Sequence, residues 1–154
     1  MKGVYVLLIE VPYDLHLSIK ALGEFLFEKG IWLYVGSAMG GGSTSLEKRI
    51  SRHFRKEKTI HWHIDALLHH STYLRAAVWA ESTQPIECKV AQSIERIEEF
   101  VSGPRGFGAS DCTNHCSSHL FHSMNCEMVQ DRVKMIFTKL GLEPRITFYG
   151  SVSM

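Results

Sequence analysis

The chain has 154 residues, of which 45% are hydrophobic and 21% are charged, and its net charge is +1. This length suits one domain that buries roughly 70% of the surface of its unfolded chain, and the composition excludes disordered and collagen-like proteins. The apolar run at residues 4–9 is too short for a secretory leader or a membrane helix. With only four cysteines, the sequence predicts a cytoplasmic protein rather than a disulfide scaffold.

The first forty residues predict strands. Residues 3–11 are rich in β-branched and aromatic side chains and end at Pro12, which is typical of a buried strand. Apolar residues between 14 and 29 fit both a strand and a helix, and we favour strands with a turn at Gly23. A second clear strand covers residues 31–36. The glycines at 40–42 then form a loop that can approach a ligand closely.

A helix is predicted over residues 45–56, because Thr44 to Glu47 has the spacing of a capping box. Helical periodicity gives it a buried stripe formed by Leu46, Ile50 and Phe54. His53 falls within or beside this stripe, and Arg49 lies at its edge. The opposite face carries cations expected to point toward solvent, namely Lys48, Arg52 and Arg55.

The remaining elements follow in order. Residues 61–65 indicate a turn or the start of a helix, and residues 72–81 predict a third strand. Pro85 opens an amphipathic helix whose apolar stripe continues to Val101. A loop at 102–108 and a stretch rich in Cys and His precede a terminal helix at 127–140, which Gly141 closes.

The segment 47–58 is strongly basic, with six Lys or Arg and two Glu. In a nearly neutral chain this density favours contact with nucleic-acid phosphates over a solvated face. The cations concerned, beside Arg49, are Lys48, Arg52, Arg55, Lys56 and Lys58. His61 and His63 flank Trp62 and, if the segment were a strand, would face the same side, so they either face a substrate or make structural hydrogen bonds. Asp65 suits a capping position.

Five features suit phosphate chemistry: Gly3-Val4-Tyr5, Tyr34-Val35-Gly36, Arg49, His53 one turn later, and Glu87 in the first turn of a helix. Arg neutralises a phosphodiester, His or Tyr moves the proton of an attacking water, and a carboxylate holds a divalent cation. In this order, over residues 3–101, the sequence resembles the GIY-YIG nuclease superfamily, with Val in place of Ile in both tripeptides.

A closer resemblance, to the Uri or DUF123 family, extends to about residue 123. Its motifs are the segments 34–38, 52–55, 61–65, 87–88, 106–112 and 118–121. The resemblance implies an α/β fold, with a small twisted mixed or antiparallel sheet flanked by helices. Residues 1–123 would form the nuclease domain with its closing loop, and residues 124–154 a C-terminal helical extension of that domain. The 28 residues between Tyr5 and Tyr34 exceed the spacer of compact members and would hold an extra strand pair or helix.

The resemblance also implies a metal-dependent DNA endonuclease that serves DNA repair together with a repair-protein partner. Tyr5 would act as general base or orient the attacking water, and Tyr34 would hold the water or phosphate. Arg49 would stabilise the transition state, and His53 would help to move the proton. Glu87 would hold one Mg²⁺ or Mn²⁺.

The Cys/His-rich stretch leaves two interpretations open. Soft ligands there could form a structural zinc site, although their spacing differs from the usual C-x2-C pairing; they are Cys112, His115, Cys116, His119 and His122. The favoured interpretation places Ser110, Asp111 and His119 at the rim of the nuclease cleft. Two other functions remain open: a non-catalytic nucleic-acid-binding module, with RNA not excluded as partner, and a zinc-stabilised interaction protein.

Overall fold

The computed structural model describes residues 1–55, 60, 62–69, 72–109, 116–123 and 128–148. These residues form eight strands, β1 (Gly3–Val11), β2 (Leu15–Ile19), β3 (Gly23–Phe27), β4 (Gly30–Ala38), β5 (Tyr73–Glu81), β6 (Val101–Ser102), β7 (Leu120–Ser123) and β8 (Arg145–Phe148). They also form four α-helices, α1 (Leu46–Phe54), α2 (His63–His69), α3 (Glu87–Glu95) and α4 (Val129–Lys139). No helix among them is long and apolar enough to span a bilayer.

Six strands form one sheet in the order β6-β7-β4-β1-β5-β8, and each neighbouring pair is antiparallel. The first strand lies inside this sheet, so Tyr5 pairs with Gly36 on one side and with Trp79 on the other. Helices cover both faces of β1, which explains why its apolar run is continuous rather than alternating. The structure confirms the predicted α/β class with an antiparallel sheet and a C-terminal helix.

The ambiguous segment between β1 and β4 is a hairpin. Strands β2 and β3 pair antiparallel from Leu15 with Phe27 to Ile19 with Gly23. The turn contains Ala21 with φ of 71° and Gly23 with φ of 106°, a left-handed conformation that glycine adopts without a steric penalty. The strand interpretation is therefore right, and the hairpin accounts for the long spacer between the two tyrosines.

The core has two parts, one on each face of the sheet. Alternate residues of β1 point to opposite faces, so Tyr5 and Leu7 face α1, α2 and the hairpin, whereas Val6 and Leu8 face α3 and α4. The buried stripe of α1 is confirmed, because Leu46, Ile50, His53 and Phe54 are all buried.

Several helix ends differ from the sequence predictions. The N-cap of α1 is Ser45, whose hydroxyl accepts from the Lys48 amide at 3.4 Å, so Thr44 does not start a capping box. Helix α3 stops at Glu95, and Val101 lies exposed in β6 instead of continuing the helical stripe. The end of α4 agrees with the prediction, because the helix ends at Lys139 and Gly141, with φ of 82°, follows its C-cap Leu140.

Candidate functional site

Glycines let the two tyrosine rings lie close to the backbone. Tyr5 lies opposite Gly36, where a Cβ atom would fall 2.4 Å from Cζ of the Tyr5 ring. Tyr34 lies beside Gly108, where a Cβ atom would fall 2.8 Å from Cε1 of the ring. Both tyrosines are buried. The first motif therefore depends on the glycine of the second, since any larger residue at position 36 would displace the ring of Tyr5.

Helix α1 brings His53 to these tyrosines. The Tyr5 hydroxyl lies 2.8 Å from Nε2 of His53, and the centre of the Tyr34 ring lies 6.2 Å from that of the imidazole. When His53 carries its proton on Nδ1, Tyr5 donates this hydrogen bond. The structure thus joins three of the predicted site residues in one buried cluster.

Burial raises the pKa of Tyr5 well above 10 and raises the pKa of Tyr34 in the same way. The negative charge of Glu87 raises the pKa of both phenols further, whereas the positive charge of Arg49 lowers it. Both tyrosines therefore keep their protons at neutral pH, and Arg49 and Glu87 are close enough to act on both.

Arg49 and Glu87 meet through Ser37, at the end of β4. The guanidinium of Arg49 donates to the Ser37 carbonyl at 2.7 Å, and the Ser37 hydroxyl donates to Oε2 of Glu87 at 3.2 Å. Glu87 begins α3. Sequence reasoning did not select Ser37 as a site residue, although it directly follows the second tripeptide; its position one residue beyond a motif glycine was the available signal.

His119 lies against the other oxygen of Glu87. Its Nδ1 is 3.3 Å from Oε1 of the carboxylate, and its side chain is only 3% exposed. The residue lies just before β7, where its carbonyl accepts from the Val35 amide at 2.9 Å. The structure therefore places His119 in contact with the candidate metal-binding carboxylate. Of the other predicted rim residues, Ser110 and Asp111 lie outside the described residues.

The described part of the Cys/His-rich stretch meets α3. One nitrogen of His119 and the sulfurs of Cys88 and Cys116 lie within 4.8 Å of one another. Cys88 belongs to the motif at 87–88, and the spacing of the neighbouring residues does not indicate that it is a ligand. His122 stacks on Trp32 and lies 2.9 Å from the Lys29 carbonyl, so it does not join this group. Cys112 and His115 lie outside the described residues.

The basic segment divides into two kinds of cation. Lys48 and Arg55 are exposed, as expected. Arg52 was predicted to point toward solvent, and this is wrong. Its guanidinium binds both oxygens of the fully buried Asp65 at 2.9 and 3.0 Å and lies over the ring of Trp62. This ion pair compensates the charge of the buried Asp65 carboxylate, because an unpaired buried charge would destabilise the folded protein. Lys56, Lys58 and His61 lie outside the described residues.

His63 begins α2, in agreement with the turn or helix start predicted within residues 61–65. Its Nδ1 accepts from the Gly108 amide at 3.1 Å, and its ring packs 5.6 Å from that of Phe107. Asp65 closes the first turn of the same helix, because its carboxylate accepts from the Trp62 amide at 2.9 Å. In the described residues, His63 thus anchors the loop that covers Tyr34, in keeping with the structural interpretation of this histidine.

The fold and this site define an α/β protein whose six-stranded antiparallel sheet brings two tyrosines, a histidine, an arginine and a glutamate together at one end. The chain belongs to the DUF123 family: the model of this family, described as a domain of unknown function, matches residues 4–142. Comparisons with curated proteins and with solved structures gave no match. The membership of the DUF123 family that the sequence motifs implied is confirmed.

Proposed function

We propose that this protein is a metal-dependent endonuclease of the GIY-YIG type that hydrolyses phosphodiester bonds in DNA. The observation that carries the proposal is the buried pair of Tyr5 and His53, 2.8 Å apart, in the electrostatic field of Arg49 and Glu87. A proton-transfer pair, a phosphate-binding cation and a metal-binding carboxylate are the groups that phosphodiester hydrolysis needs.

Arg49 is the phosphate-binding group of the proposed site. A guanidinium carries five N–H donors in a planar fork, and the Ser37 carbonyl takes one of them at 2.7 Å. This contact and the ring of Trp62, 5.3 Å away, hold the guanidinium in one orientation. The fork can then bind two phosphate oxygens and neutralise the charge that grows in the transition state.

Tyr5 acts as a neutral relay rather than as a standing phenolate, because burial raises its pKa well above 10. As the water oxygen bonds to phosphorus, its proton passes to the Tyr5 oxygen, and the proton that Tyr5 held passes to Nε2 of His53. The leaving oxygen departs with the electron pair of the broken P–O bond and takes a proton from solvent. Tyr34 positions the water or the phosphate through its hydroxyl.

Glu87 suits a single Mg²⁺ or Mn²⁺. Its side chain is 27% exposed, which leaves space for the waters that Mg²⁺ usually retains beside one or two carboxylates. Ser37 and His119 each contact one of its oxygens and so fix its orientation. When bound, the cation would polarise the phosphate and stabilise the leaving oxygen.

DNA would lie along the exposed side of α1. Lys48 is exposed on the helix that carries Arg49 and His53, and Arg55 is exposed at its C-cap. Contacts from such cations to phosphates are insensitive to base sequence. This arrangement supports a substrate recognised by its backbone.

The test is cleavage of a fluorescent panel of duplex, flap, junction, abasic and single-stranded DNA with Mg²⁺ or Mn²⁺. We expect the wild-type protein to cleave at least one substrate, and Glu87→Gln and Arg49→Ala to lose about 10²-fold or more of that activity. The matched controls are Glu95→Gln and Arg96→Ala, both exposed at the far end of α3, which should keep full activity.

Two results would overturn the proposal. If the folded wild-type protein cleaves no member of the panel with either metal, the protein is not such a nuclease. Binding that weakens with salt and requires Arg49, without cleavage, would instead establish the non-catalytic nucleic-acid-binding module. If Glu87→Gln cleaves as fast as Glu95→Gln, the carboxylate has no role in the reaction.

A further inference from the structure

A group of soft ligands lies beside the carboxylate of Glu87. Cys88 in the first turn of α3 and His119 before β7 place Sγ and Nε2 3.8 Å apart. The thiol of Cys116 approaches the Cys88 carbonyl at 3.9 Å. The three candidate ligand atoms all lie within 4.8 Å of one another. They come from two separate segments of the chain, the start of α3 and the residues that precede β7.

We propose that Cys88, Cys116 and His119 bind a zinc ion as a site separate from the Mg²⁺ or Mn²⁺ of the proposed nuclease. Zn–S bonds of about 2.3 Å and Zn–N bonds of about 2.0–2.1 Å put tetrahedral ligand atoms roughly 3.5–3.8 Å apart. The observed spacing of 3.8 Å between sulfur and nitrogen is within about 0.3 Å of the tetrahedral value, and the third ligand needs a shift of about 1 Å. Two thiolates and an imidazole select zinc over the hard cations that prefer oxygen.

The orientation of His119 is a second observation in favour of a metal. Its Nε2 faces the sulfur of Cys88, while its Nδ1 faces Oε1 of Glu87 at 3.3 Å. A metal-binding histidine commonly donates its other N–H to a carboxylate, which fixes the tautomer and makes the ligating nitrogen more basic. The 3.3 Å contact lies outside hydrogen-bonding geometry in this structure. A small rotation of the ring on zinc binding would let Nδ1 donate to Glu87, which would then orient the zinc-binding imidazole.

The backbone around His119 is also held in place before any metal binds. Its amide donates to the Phe107 carbonyl at 2.9 Å, and its carbonyl accepts from the Val35 amide at 2.9 Å. Its side chain is almost fully buried. A fixed, buried imidazole reduces the entropy lost on metal binding, so the site is partly organised by the sheet itself.

A zinc ion here would tie the start of α3 to the segment that precedes β7. This would hold Glu87 in position through His119, and a water would complete the coordination of the ion. The role is structural, and it requires no step of the cleavage reaction.

The experiment measures metal directly. Protein purified under reducing conditions without chelator is analysed for zinc by mass spectrometry, then stripped and titrated with Co²⁺, whose bonds to thiolate give a charge-transfer absorption band. We expect about one equivalent of zinc per chain and a cobalt–thiolate band that Zn²⁺ displaces. Cys88→Ser, Cys116→Ser and His119→Ala should each weaken zinc binding about 10²-fold or more, whereas His16→Asn, at an exposed histidine, should not.

Glu87→Gln gives an independent readout, because it keeps all three ligands. It should weaken zinc binding by about 10–100-fold while leaving the cobalt–thiolate band in place. Wild-type protein that holds less than about a tenth of an equivalent of zinc and shows no such band after reduction and Co²⁺ addition would overturn the proposal, whether or not the variants fold. Metal content is measured without DNA, so this failure is distinct from failure of the nuclease proposal.

Discussion

Tyr5 and His53 lie 48 positions apart in the chain, yet the hydroxyl of one is 2.8 Å from Nε2 of the other. The pair is buried and joins the central strand of the sheet to α1. A hydrogen bond in such surroundings has two separable effects, one on the stability of the fold and one on proton transfer.

Tyr5→Phe removes only the oxygen of this pair. We expect cleavage to fall by about 10²–10⁴-fold, the usual contribution of a positioned proton-transfer group, and the free energy of unfolding to fall by about 1 kcal/mol. Single-turnover cleavage and urea denaturation measure the two effects. Tyr13→Phe, at an exposed tyrosine, is the control and should change neither. A variant that is less stable but cleaves normally would make the hydroxyl purely structural.

Gly36→Ala should displace the ring of Tyr5, since the new Cβ would lie within 2.4–2.7 Å of two ring carbons and the hydroxyl oxygen. Overpacking of this kind costs about 1–3 kcal/mol of stability, and cleavage should fall with the misplaced hydroxyl. Gly41→Ala is the matched control, because nothing lies within 4 Å of a Cβ there. Equal melting temperatures and rates for the two variants would show that the glycine is not needed for the close approach.

The two arginines at positions 52 and 55 should respond differently to substitution by alanine. Arg52→Ala leaves the buried carboxylate of Asp65 without its bidentate partner, so the free energy of unfolding should fall by about 3 kcal/mol. Arg55→Ala should stay within about 0.5 kcal/mol of the wild type and weaken DNA binding, with the salt slope reduced by about 1. Denaturation and fluorescence anisotropy test this, and an Arg52→Ala variant as stable as the wild type would contradict it.

His63 should make stability depend on pH. Burial lowers its pKa below the usual 6.5, and protonation turns Nδ1 from the acceptor of the Gly108 amide into a donor. Because the folded-state pKa is the lower one, this contribution is present above about pH 6.5 and is lost as the pH falls through the folded-state pKa.

The check on His63 is urea denaturation between pH 7.5 and 5. His63→Asn keeps an acceptor near the position of Nδ1 but does not titrate, so the loss of stability at low pH should be smaller than in the wild type. If both proteins lose stability equally over this range, His63 is not the group responsible.

The sequence was most informative where local pattern and packing agree. The continuous apolar run of β1 and the stripe of α1 both follow from burial, and both are confirmed. The short strands β6, β7 and β8 carry no comparable signal: β6 has two residues and β7 and β8 four each. They form because existing strands offer unpaired edges, and no local periodicity encodes that.

The candidate site, like the short strands, could be predicted only in part from local sequence patterns. The sequence placed Tyr5, Arg49 and Glu87 in one group through motifs, but it could not show that Ser37 links the latter two. It also missed the pairing of Arg52 with Asp65, which lies 13 positions away and is fully buried. Tertiary packing decides which distant residue pairs with a buried charge. The residue pattern along one face of a helix does not contain this information.

The central position of β1 in the sheet determines when the candidate site around Tyr5 can form during folding. Tyr5 pairs with Gly36 and Trp79, so the strand gains both neighbours only after long stretches of chain have closed. Closing such long loops costs entropy before the stabilising contacts form. Sheets in which most paired strands are distant in sequence therefore fold slowly. A collapsed intermediate with only local hairpins and helices would therefore hold the candidate groups apart, and backbone amides of β1 should exchange with solvent only through near-global unfolding.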